Sequence, residues 1–135
     1  MQSAAYGMES PQFSLLVGWA CMAGGATSGA IIGLFFHHEH WLGGYGSFRR
    51  RMLRLGHIAF FGLGFLNVLF ALSATDAPMS GSNGRLASLA FASAAVTMPA
   101  CCFLTAWRPS FRQLFPIPVI ATLSGLGAAF RGWMT

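Results

Sequence analysis

The sequence predicts an all-α fold: a four-span transmembrane helical bundle with short loops and both termini on the non-cytoplasmic side. Of its 135 residues, 55% are hydrophobic and only 8% charged, where a soluble domain carries about 25% charged residues. Four apolar stretches each approach the roughly 20 residues that cross a bilayer. The arginines gather beside those stretches rather than within them. With a mean hydropathy of +0.59, much of the surface must meet lipid instead of water. At this length the chain reads as one integral membrane domain, residues 1–135, with no room for a separate soluble module.

The first span is expected at about 12–36, with Ser10 and Pro11 as its start signal. The second runs from about 53 to 75 and ends before the turn-rich Asp76-Ala77-Pro78 and the segment MSGSNG. The third covers about 86–107 and is halted by Arg108-Pro109. The fourth covers about 111–133. Its uninterrupted apolar part, Leu114 to Phe130, is short, so this span tilts or lets Arg112 and Arg131 snorkel from its ends. The opening MQSAAYGMES lacks the basic segment of a signal peptide, so no cleavage is expected.

Net charge is +5 and the sequence pI about 10.1. In a soluble protein that balance points to nucleic acid. Here the charges must lie in short loops, where they set topology and meet anionic headgroups, so the expected partners are membrane lipids and no nucleic acid. All eight basic residues are Arg, a preference with no physical account. The first and third loops hold Arg49, Arg50, Arg51, Arg54, Arg108 and Arg112, while the opposite side holds Glu9, Asp76, Arg85 and Arg131. That bias makes the first and third loops cytoplasmic. Together with the lack of eukaryotic targeting signals, it points to a bacterial inner membrane. Phe13, Trp41, Tyr45, Trp107 and Trp133 near the span ends fit an interfacial belt.

Small residues recur at helical spacing. Cys21, Gly25, Gly29 and Gly33 form one such row in the first span, and Ala121, Gly125 and Ala129 form another in the fourth. The third adds Ala87, Ala90, Ala94 and Ala95. Lipid supplies no hydrophobic drive between helices, so small residues act by letting backbones approach for dispersion contacts. The rows predict a tightly packed bundle, in contact with other transmembrane subunits or with copies of itself. Cys21, Cys101 and Cys102 all lie in apolar stretches and read as packing residues.

The chemistry-bearing stretch is HHEHWLGGYGSFRRR, which holds three of the four histidines. Antiparallel first and second spans place His37 and His38 at the end of one and His57 at the start of the other. His37 follows Gly33, Ala30, Gly29 and Ala26 and so extends the small-residue face; His38 follows the bulkier Leu34 and Ile31. His37 and His57 are therefore the first choice for axial ligands of a haem b, and His37, His38 and His57 for a transition metal. Arg50 and Arg54 are candidates for haem propionates or lipid headgroups, because guanidinium matches carboxylate and phosphate geometry. The bland reading of the same residues is interfacial polarity plus a topology signal. Glu39 and His40 sit where water solvates them. Asn67, mid-span, calls for an interhelical hydrogen bond, and Pro99 for a bend whose freed backbone Thr97 or a neighbour satisfies.

Several classes are disfavoured. No Asp or Glu lies inside a span, which argues against a proton-coupled exporter built on an intramembrane carboxylate. There is no Ser/His/Asp arrangement, P-loop or nucleotide fingerprint, so an enzyme is not expected. Three readings follow. The first is a non-catalytic accessory subunit packing within a larger energy-converting membrane complex or a homo-oligomer. The second is a b-type haem or metal-binding electron-transfer protein using His37 and His57. The third is a small transporter or channel lined by Asn67 and Thr97.

Overall fold

The computed structural model describes residues 11–76 and 81–134. Ser10 of the expected start signal, the 77–80 part of the expected turn, and Glu9 lie outside the described residues. Four long helices account for nearly all the rest: α1 (Pro11–Phe35), α2 (Phe48–Asp76), α3 (Ser82–Trp107) and α4 (Pro116–Met134). Short 3₁₀ turns at Trp41–Gly43 and Pro109–Leu114 complete the connections. Each span, the last counted from Pro109, is long and apolar enough to cross a membrane. The fold is the expected four-helix transmembrane bundle.

Two helix starts and one connection differ from the sequence expectation. α2 begins at Phe48 rather than near Leu53, so Arg49, Arg50, Arg51 and Arg54 lie on its first turns instead of in a loop. The local cause is Ser47, whose Oγ accepts the backbone N–H of Arg50 at 3.3 Å, an N-cap contact at the third helical position. Hydropathy counting misses this because arginine is a good helix former wherever its head can reach water. α3 likewise starts four residues early, after Gly81 at φ 78, a backbone region that glycine enters without steric cost. Trp107 ends α3 as expected. Arg108 is forced extended (φ −132, ψ 115) by the following proline. The fourth span is not one continuous helix: Pro116 brings no N–H and begins α4 at its first turn. With 19 residues, α4 is roughly 28 Å long, close to a bilayer's hydrocarbon thickness.

α3 is the central element. It packs against α1, α2 and α4, whereas α1 rests mainly on α2, and α4 mainly on α3. Two contacts of equal sequence separation show that α1 and α3 run parallel in register. Ser14 Oγ lies 2.7 Å from Ser88 Oγ, and Cys21 Sγ donates to the Ala95 carbonyl at 3.8 Å. The second contact resolves the proline question. Pro99 cannot donate to the carbonyl four residues back, which is that of Ala95, and the Cys21 thiol takes the vacant role as a weak donor. Thr97 instead donates to Ser93 O at 2.8 Å.

Asn67 makes the expected interhelical bond. Fully buried, it donates through Nδ2 to Leu63 O at 2.9 Å within α2 and to Phe91 O at 3.1 Å on α3. Below it, Phe70, Ala74, Ala87, Phe91, Ala128 and Ala129 form a core shared by α2, α3 and α4. Gly125 makes room for it: a Cβ there would sit 2.7 Å from the Phe91 ring.

Candidate functional site

The glycines of α1 are sockets for side chains of α2. A Cβ on Gly18 would stand 2.6 Å from Val68, and one on Gly25 2.8 Å from the Phe61 ring. A Cβ on Gly29 would run into the His57 imidazole. Absent those Cβ atoms, the three side chains pack directly on the α1 backbone. The gap in which a macrocycle would lie along this face is filled by α2 itself. His57 Nδ1 is 2.8 Å from the Gly25 carbonyl and 3.4 Å from Ser28 Oγ. A carbonyl only accepts, so Nδ1 carries a proton and donates it. The ring also meets Phe61 edge-on, with centroids 5.4 Å apart. His57 thus locks the α1–α2 hairpin.

His37 is not brought to His57. It lies beyond the last residue of α1, exposed, with its ring 4.0 Å from that of His38. Gly29, the residue facing His57, precedes it by eight positions, which is about 12 Å of helix rise. Gly33, expected on the packing face, is exposed and a Cβ there would meet nothing within 4 Å. The reason is angular. Every four-residue step overshoots a full turn by about 40°, so Gly33 sits about 80° and His37's position about 120° around from Gly25. A row read in steps of four leaves the face it began on. Gly25, Gly29, Gly125 and Ala129 do pack as expected, and Ala121 is half-buried. Among the described residues, no three His, Cys, Asp or Glu side chains converge as metal ligands.

The arginines divide by role. Arg50 is only 3% exposed. Its Nε donates to Trp41 O at 2.6 Å, and its Nη2 to His38 O and, at 3.4 Å, to Glu39 O. The guanidinium also lies over the Trp41 ring, 5.3 Å from its centroid, and 5.8 Å from that of Phe36. These carbonyls belong to the chain just past α1, so Arg50 clips that turn to the start of α2, adding to the turn's own bonds from Trp41 N to His38 O and from Gly44 N to Trp41 O. Its donors are committed within the chain rather than offered to a propionate. Arg54 stacks on Tyr45 at 4.5 Å and reaches Tyr45 O at 3.4 Å. Neither role is legible from spacing, because both depend on where the loop folds back.

Asn67 and Thr97 do not share a path. The first is sealed between α2 and α3, and the second is half-buried and bonded within its own helix.

The opposite side of α1 carries a second set of small residues that the glycine row does not include. There Ala20, Ala23, Ala26, Thr27 and Ala30 are all exposed. Leu16 and Trp19 bound this patch at one end, and Ile31 and Leu34 at the other, all exposed and bulky. The outward faces elsewhere differ: α2 presents Ile58, Phe65, Leu69 and Leu72, and α4 presents Ile117, Ile120, Leu123 and Phe130. α1 carries small residues on two opposed faces: glycines filled by side chains of α2, and a row of five small residues left open among the described residues. The signal was present as alanines at 23, 26 and 30, a spacing that keeps to one side of a helix.

Comparison with protein-family models, curated proteins and solved structures finds no match to this chain.

Proposed function

We propose that this protein is a small, non-catalytic integral membrane subunit that docks the outer face of α1 onto a transmembrane helix of a larger assembly. The partner helix is supplied by another subunit or a second copy. One observation carries this reading: Ala20, Ala23, Ala26, Thr27 and Ala30 form a shallow saddle between bulky ends. Lipid tails gain nothing from a small-residue saddle, whereas a second backbone does, because close approach brings dispersion contacts along the whole crossing. The arginine-rich end faces the cytoplasm of a bacterial inner membrane in this reading, on the positive-inside rule.

The test is extraction of native membranes into nanodiscs, with particle mass read by native gel or mass photometry. The wild-type chain is expected in a particle heavier than the monomer. Ala26→Leu/Ala30→Leu should release a folded monomer, whereas Ile120→Ala on the bulky face of α4 should leave the assembly intact. A monomeric wild type, or an assembly indifferent to the alanine pair, would refute the proposal.

A further inference from the structure

At the arginine-rich end, a groove of about 220 Å³ opens between the start of α2 and the end of α3. Leu42, Leu53, Phe103, Ala106 and Trp107 make its apolar walls, and Arg49 is the one charged residue lining it. We propose that this groove binds one anionic glycerophospholipid, with an acyl chain against the apolar wall and the phosphate on Arg49.

Four observations support it. First, charge: this end carries Arg49, Arg51, Arg108 and Arg112 on exposed positions, with Glu39 as the only described carboxylate nearby in sequence. Such a field attracts an anionic leaflet. Second, availability: Arg50 is spent on three carbonyls and Arg54 on Tyr45, while the Arg49 guanidinium makes no hydrogen bond, ion pair or ring contact with the described residues. Adjacent positions on a helix point about 100° apart, so Arg49 is directed away from the carbonyls that Arg50 holds. Third, polarity: apolar wall below and guanidinium above match a lipid's own division, and Trp107, 74% exposed, belongs to the residue type that anchors at the headgroup level. Fourth, backbone: Leu42 adopts φ 52, a left-handed conformation costly for a branched side chain. Gly43 and Gly44, at φ 89 and 93, follow it freely. The turn thus holds Leu42 in an unfavourable backbone state where its side chain builds one wall of the groove, as strain at ligand sites often does.

This site lies on α2 and α3, away from the outer face of α1, so its failure is distinguishable from failure of the docking reading. The experiment is native mass spectrometry of the detergent-solubilised chain titrated separately with phosphatidylglycerol and phosphatidylcholine. One retained phosphatidylglycerol per chain is expected, with phosphatidylcholine retained about fivefold less. Arg49→Gln should lower phosphatidylglycerol retention about fivefold, while Arg51→Gln changes it less than about twofold. Arg49→Lys keeps the charge without the planar fork and should fall between them. If Arg49→Gln does not fold, the wild-type lipid ratio and Arg49→Lys decide. Equal retention of the two lipids, wild-type retention by Arg49→Gln, or equal losses at Arg49 and Arg51 would each overturn a specific site.

Discussion

The first and third helices are nearly equal in length and apolar character, yet they occupy opposite situations. α3 buries twelve of its 26 residues and α1 only four of its 25. α3 carries alanine at 87, 90, 92, 94, 95 and 106, all buried, because helices press on it from several directions. α1 carries glycine where α2 presses on it and alanine where none of the described residues does. Hydropathy establishes that a segment can cross a membrane. The size of the side chain at each angle around the helix establishes what lies beside it.

The comparison breaks most visibly at the sockets of α1. Gly29→Leu must displace the His57 ring and part α1 from α2, so a loss of about 3 kcal/mol is expected in SDS-titration unfolding. Gly33→Leu, one step along the same row, should change stability by less than about 0.5 kcal/mol. A similar cost at both positions would mean that α1 and α2 stay close beyond Gly29. A second pair sets the helices against each other. Ala94→Leu, at a fully buried site on α3, should cost about 2 kcal/mol by overpacking, whereas Ala26→Leu, on the open face of α1, should leave unfolding of the isolated chain unchanged. The smallest effect sharpens the inner seam. Asn67→Ala removes donors to Leu63 O and Phe91 O and should cost about 1 kcal/mol; Thr97→Ala, whose hydroxyl bonds only within its own turn, should cost measurably less in the same titration.

Much of the fold was legible because lipid imposes length and the prolines impose ends: Trp107 stops α3 where Arg108-Pro109 requires. The helix starts were less legible, since Ser47 and Gly81 act through backbone geometry outside the apolar run. Asn67 was readable as an interhelical donor from depth alone. The candidate site was harder. His37 and His57 are expected at one level of the α1–α2 pair; His57 instead packs on Gly29, while the four-residue ladder that leads to His37 winds off that face. Arg50 is expected on a haem propionate or a lipid headgroup, because nothing in its spacing announces three carbonyls gathered by a returning loop. Cys21 read as a filler; its partner exists only because Pro99, far along the chain, frees the Ala95 carbonyl.

The order in which the helices pack has a consequence for biogenesis. α2 rests on α1, α3 on both, and α4 chiefly on α3, so each span meets its main partner among those already synthesised. The glycine sockets can close on Val68, Phe61 and His57 before α3 leaves the ribosome. α3 then arrives in a lipid phase where Ser14, Cys21 and Asn67 already wait for Ser88, Ala95 and Phe91, and its polar groups need not dwell unpaired in oil. α4 comes last, and its Gly125 accepts the Phe91 ring that already packs on Phe70 of α2.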